Sequence, residues 1–238
     1  GLGKMAEEMS GNRVVLTPDG KRKLEEELNE LKVELVRMCR ITEEMIIDSI
    51  EALIKKDGQL AASVPPRDRE VDEFELDIER KCMRILLRRQ PVADDFREVS
   101  TALKLITDIE RIGDQASDIA EIVLSFNGEN YIKELVHLKA MGELGVKMVR
   151  SSVDSFIRSD VKLADEIIAS DDTLDKLFLV VKEELIELIR ADSANADQAI
   201  SFMMIAKYLE RIGDHAVNVC EWTKYFGTGV HVLSLIHI

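Results

Sequence analysis

Apolar residues recur along most of this chain at spacings of three and four, the period of a helix buried along one face. Leu24, Leu28, Leu31, Leu35 and Met38 make the first such stripe. The two-residue alternation of a half-buried strand is nearly absent. The breaks between stripes carry recognisable chemistry. Thr17-Pro18-Asp19 reads as a helix start, because threonine caps and proline's missing N–H costs nothing in a first turn. Asp57-Gly58 and Pro65-Pro66 interrupt the first pattern, Gln90-Pro91 ends the second, and Asn127-Gly128 stops the third. The pattern predicts six helices, near 17–56, 68–89, 94–125, 132–158, 163–190 and 195–226.

These helices fall into two groups of three that repeat one another. Glu110-Arg111-Ile112-Gly113-Asp114 in the third helix returns as Glu210-Arg211-Ile212-Gly213-Asp214 in the sixth, an offset of 100. The other helices align at 103: Met38 with Met141, Asp57 with Asp160, Leu60 with Leu163, and Asp68-x-x-x-Asp72 with Asp171-x-x-x-Asp175. The three-residue difference falls in the connection between the second and third helices, where the first copy carries Pro91. Order and spacing kept over three helices indicate duplication. The expected fold is therefore all-α, two tandem repeats of a three-helix bundle. Repeat one spans 17–126 and repeat two 130–227, with a poorly ordered N-terminal extension at 1–16 and a non-native or frayed tail at 228–238.

With 46% hydrophobic residues, the 238-residue chain has enough apolar material for a sizeable core. Its net charge of −14 disfavours nucleic acid and anionic membrane surfaces, both of which are held by cations. Cys39, Cys82 and Cys220 are far apart and lie in apolar helical stretches, which suits buried free thiols in a reducing compartment. No stretch approaches the roughly 18 apolar residues of a membrane span. A cytoplasmic protein without direct membrane insertion is expected.

On a helical wheel, Glu110, Asp114, Asp118 and Glu121 fall within a sector of about 80°. Ile109, Ile112, Ala116 and Ile119 lie on the opposite side and face the core. The sixth helix repeats the acidic sector with Glu210, Asp214 and Glu221. The second presents Asp68, Asp72, Glu75 and Glu79, whereas the fifth keeps only Asp171 and Asp175, because Phe178 and Lys182 occupy the later positions. Solvated helix faces are one reading of these stripes. Acid facing acid at i,i+4 costs roughly 0.2–0.5 kcal/mol per pair, and the arrangement survives in both repeats. A bound cation is the other reading. All-carboxylate donors suit magnesium, manganese, calcium or iron in its harder oxidation state. Asp68, Asp72, Glu110 and Asp114, supported by Asp118, form one candidate metal site. Asp171, Asp175, Glu210 and Asp214 form the other. Asn218 stands where the first repeat has Asp118, so the second site is expected to be the weaker. His215 points off the acidic sector and reads as a bystander. Arg111 and Arg211 are expected to pair with another helix. Gly113 and Gly213 sit mid-helix and suggest close approach by a neighbouring helix or a bound group.

The doubled Glu-Arg-Ile-Gly-Asp motif resembles the PhoU family of phosphate-uptake regulators. So does Gln90-Pro91-Val92-Ala93-Asp94-Asp95-Phe96-Arg97 ahead of the third helix. The resemblance covers about Glu27 to Phe226. It implies two three-helix bundles in a cytoplasmic homodimer. It also implies a negative regulator of phosphate uptake that contacts the ATPase of the phosphate ABC transporter and its partner sensor histidine kinase. Some members of the family bind iron or other metals through Glu/Asp-x-x-x-Asp motifs, which match here at Asp68/Asp72, Glu110/Asp114, Asp171/Asp175 and Glu210/Asp214. The metal that this implies is iron, manganese or magnesium. Catalysis is not expected. The acidic stripes carry no histidine of the Glu-x-x-His kind found in di-iron bundles and lie opposite the core, and the chain shows no Gly-rich phosphate loop or plausible Ser/His/Asp set. A carboxylate metalloenzyme and a PhoU-like regulator of another transporter or channel are the competing readings.

Overall fold

The computed structural model describes residues 16–228. Six long helices carry the fold: α1 (Pro18–Lys55), α2 (Asp68–Arg89), α3 (Ala93–Ser125), α4 (Val136–Ile157), α5 (Val161–Ala191) and α6 (Ala196–Thr228). One further helical turn, Gly58–Ala62, and two 3-10 turns, Pro65–Arg67 and Ser193–Asn195, complete the described elements. The N-terminal extension and C-terminal tail read from the sequence lie, apart from Leu16 and Thr228, outside the described residues. Among the described residues no helix is long and apolar enough to cross a membrane.

The local signals act as their chemistry requires. The Thr17 side chain accepts the Gly20 N–H at 3.0 Å and opens α1 with Pro18 in its first turn. The first helix of each repeat ends the same way. Lys56 and Ser159, 103 residues apart, both enter the left-handed region, with φ of 56° and 52°. Asp57 and Asp160 then accept the N–H of Leu60 and Leu163, each at 3.0 Å. Downstream the repeats diverge. Pro65-Pro66 separates the short turn from α2, whereas repeat two has Ile168-Ala169 at those positions and α5 runs through unbroken. Proline removes an intrahelical donor and clashes with the preceding turn, so only repeat one is broken there.

Within each repeat all three helices touch, and the repeats meet through α3 against α6 and α1 against α4. The stripe expected from the sequence is the core: Leu31, Leu35 and Met38 of α1 are fully buried against Ile109 and Ile112 of α3 and their counterparts. Phe126 at the end of α3, Tyr131 in the connection and Phe202 of α6 stack with centroids 5.0 to 5.3 Å apart, and the Tyr131 hydroxyl donates to the Leu53 carbonyl at 2.6 Å. Arg150 of α4 reaches buried Glu43 of α1 at 2.5 Å. The second helices, α2 and α5, lie outermost. This leaves one groove between α2 and α3 and another between α5 and α6, where the acidic sectors look out.

Candidate metal centre

In repeat one, α2 and α3 bring their acidic faces together. Gly113 lines the contact: a Cβ there would lie 3.4 Å from Asp68 Oδ1, 3.5 Å from Thr42 Cγ2 and 3.6 Å from Val71 Cγ1, all ordinary contact distances. The helices thus lie at a separation that would still admit a Cβ, and α2 brings Asp68 in against α3 there. Ser117 Oγ donates to Asp68 Oδ2 at 2.8 Å, which holds that carboxylate at the inner end of the wall. Further out, one oxygen each from Asp72, Glu75 and Glu110 lies within 4.8 Å of the others, close enough to share a cation. Asp114 sits beside them, hydrogen-bonded to Glu110.

The electrostatics match this crowding. Burial, then the hydrogen bond and the charge of Asp114, push the Glu110 carboxyl up to about 8. Asp68, Asp72 and Glu75 are raised as well, each first by burial and then by neighbouring acids. Asp118 is raised by burial and by Glu121 and Asp114, and is eased by Arg211 of the other repeat. It therefore stands at the inter-repeat edge of the wall and not in the triad. The sequence-derived site for repeat one thus divides: Asp72 and Glu110 join the tight group, while Asp68, Asp114 and Asp118 flank it. Glu75 belongs to the group and was not among the candidate ligands, although its place on the α2 stripe was visible in the sequence.

Repeat two differs. Gly213 marks close approach, with a Cβ position 2.3 Å from Leu174 Cδ2 and 3.4 Å from Asp171 Oδ1. Asp171, Asp175, Glu210 and Asp214 share the groove, and each of Asp171, Asp175 and Asp214 is raised by burial and by its acidic neighbours, Asp171 to about 6. Among the described residues, however, the one group of carboxylates drawn tightly enough to hold a cation is the repeat-one triad. Two residues separate the repeats. Phe178 occupies the position of Glu75, and Lys207, where repeat one has Thr107, places its Nζ 2.6 Å from Glu210 Oε1. Sequence reasoning missed Lys207, although its i,i+3 spacing to Glu210 was the available signal. Deeper in, Val217 replaces Ser117, and Asp171 Oδ1 is buried without a hydrogen-bond partner.

Four further residues depart from expectation. Asn218 does not simply weaken the second acidic face. Its Nδ2 donates across the repeat interface to Asp108 Oδ1 at 3.2 Å, and His215 Nδ1 meets the same oxygen at 3.0 Å. His215 lies off the acidic sector, as its position on the wheel requires, but serves this inter-repeat contact. Arg111 and Arg211 do not form ion pairs with another helix among the described residues. Arg111 lies 3.8 Å from adjacent Glu110, and Arg211 sits over the ring of Tyr208, one turn earlier on α6. Both are exposed.

The wall gathers hard oxygen donors, and Arg111, 3.8 Å from Glu110 and also acting on Glu75, balances their charge only in part. Such a wall can take up a hard cation or a proton. Against known proteins, the PhoU domain model matches residues 35–123 and again 138–223. A "Phosphate-specific transport system accessory protein PhoU homolog" of Clostridium acetobutylicum is 37% identical over 209 residues, covering 87% of this chain and 95% of that protein. One from Aquifex aeolicus is 38% identical over 189 residues, covering 79% of this chain and 86% of that protein. The crystal structure of PhoU from Pseudomonas aeruginosa superposes with a TM-score of 0.82 at 33% identity, covering 87% of this chain and 99% of that one. The phosphate transport system regulatory protein PhoU from Streptococcus pneumoniae gives 0.80 at 27% identity, covering 87% and 98%. A domain model matched in each repeat, together with relatives this similar over nearly their whole length, makes the chain a member of the PhoU family.

Proposed function

We propose that this protein regulates phosphate uptake as a non-catalytic, metal-bearing adaptor in the cytoplasm. The reading rests chiefly on one observation: the relatives it matches over nearly their full length are named phosphate-specific transport system accessory proteins. In this proposal a homodimer contacts the ATPase of the phosphate ABC transporter and its partner sensor histidine kinase. The test is capture of tagged protein from phosphate-replete cells. Recovery of the transporter ATPase or the kinase is expected. Repeated recovery of neither, with the complexes themselves detectable in the same lysate, refutes the adaptor role.

The metal reading has separate support. The donor set of the triad is all carboxylate, which suits iron, manganese or magnesium over zinc. Asp72, Glu75 and Glu110 would hold the ion, with Asp68 and Asp114 beside them. The ion's contribution would be positive charge, which offsets the burial and the acidic neighbours that together lift Glu110 to about 8. A ligand that binds only the folded state stabilises by mass action, about 2.7 kcal/mol at a hundred times Kd. Metal added to chelator-stripped protein should raise Tm, and Glu110→Gln with Asp114→Asn should remove that rise. Failure to bind any of the three metals below millimolar concentration would return these stripes to solvated acid faces.

A further inference from the structure

Lys207 breaks the symmetry of the two acidic grooves in a specific way. Its ammonium lies 2.6 Å from Glu210 Oε1 and 5.5 Å from the centroid of the Phe178 ring, over its face. Glu210 is the counterpart of Glu110, and Phe178 that of Glu75, so two corners of the repeat-one triad have their repeat-two equivalents in contact with this one side chain. The third corner, Asp72, corresponds to Asp175, whose carboxyl burial, Glu210 and Asp172 raise and Lys207 pulls partly back. Asp214 is raised by burial, Glu210 and Asp175, with His215 and Lys207 acting against them. Where repeat one offers three carboxylates, repeat two offers two, an aromatic face and a tethered cation. The changes suit each other. Loss of the third carboxylate lowers the demand for a multivalent ion, and an aromatic face attracts an ammonium.

We propose that Lys207 is a built-in counter-ion that fills the outer cation position of repeat two, so that the chain loads metal at repeat one alone. This rests on, and sharpens, the metal reading above. A tethered ammonium needs no association entropy to take its place, whereas a metal ion arriving there must displace it against like-charge repulsion. The lysine does not reach every acid. Asp171 lies deeper, its Oδ1 unpartnered, and keeps a carboxyl raised to about 6.

The test uses the whole chain, stripped with chelator and titrated with manganese, with bound metal counted by elemental analysis. Uptake should be lost in Glu75→Gln with Glu110→Gln and unchanged in Glu210→Gln. Writing the repeat-one residues into repeat two, Lys207→Thr with Phe178→Glu, should add a second binding site. The reverse exchange, Thr107→Lys with Glu75→Phe, should abolish the first. A second measurement needs no metal. In chelator, Lys207→Met should lower Tm by about 2–4 °C, and Lys207→Met with Glu210→Gln should lose less than the sum of the two single changes. Native metal that disappears with Glu210→Gln overturns the proposal, as does a Lys207→Met variant unchanged in both Tm and metal uptake. If no variant takes metal, the repeat-one reading falls, and the melting comparison alone decides whether Lys207 is a counter-ion.

Discussion

The two mid-helix glycines are identical in sequence context, yet the structure assigns them opposite responses to alanine. Each would gain about 1 kcal/mol of intrinsic helix propensity from the substitution. At Gly113 the new Cβ meets nothing nearer than 3.4 Å, an ordinary contact. Gly113→Ala should therefore stabilise by up to about 1 kcal/mol. At Gly213 the same atom would lie 2.3 Å from Leu174 Cδ2, more than 1 Å inside contact distance. Leu174 is fully buried, so its methyl has nowhere to swing. Overpacking of this kind costs about 1–3 kcal/mol, leaving Gly213→Ala destabilised by about 0–2 kcal/mol after the propensity gain. The cause is local: Leu174 stands where repeat one has the smaller Val71. Leu174→Val should accordingly relieve the Gly213→Ala penalty, making the pair non-additive. Thermal unfolding followed by circular dichroism reads this directly, at about 2–4 °C per kcal/mol for a chain of this size. Equal shifts of the same sign for the two alanine variants, or strict additivity with Leu174→Val, would refute the account of why glycine stands at these positions.

Without metal, stability should fall as pH rises from about 4.5 to about 8. The Glu110 carboxyl is raised in the folded state, so protonation favours folding and that contribution is lost on ionisation; after allowance for solvent screening it amounts to about 1–2 kcal/mol. Asp171, raised to about 6, acts in the same direction. Urea midpoints at pH 5.5, 7 and 8.5 in chelator measure it, Glu110→Gln should flatten the slope, and stability that rises over this range in the native chain counts against the crowded-carboxylate picture. Asp108→Ala strands His215 and Asn218 at the α3–α6 interface and should cost about 1–3 kcal/mol, whereas an effect under 0.5 kcal/mol by urea unfolding would mean water replaces the contact. The three thiols should resist a thiol reagent at pH 8 until the protein unfolds, because burial pushes Cys82 and Cys220 up to about 12 and Cys39 well above its usual value. Rapid labelling of the folded chain would show that these helices open easily.

Local chemistry made much of this protein legible in its sequence. The helix period, the proline and glycine breaks and the doubled Glu-Arg-Ile-Gly-Asp motif specify six helices in two copies, because each of these signals acts within a few residues of itself. The acidic sectors were visible for the same reason: spacing along one helix determines which side chains share a face. What spacing cannot supply is the depth at which one helix sits against the next. That Glu75 joins Asp72 and Glu110, while Asp118 is left at the repeat interface, depends on how α2 slides along α3. Lys207 looked like an ordinary surface cation until α5 placed Phe178 beneath it. Asn218 looked like a lost ligand until α3 brought Asp108 to it across the interface. One helix's sequence determines the face it presents, and only the packing of two helices decides which carboxylates are brought together and which cation answers them.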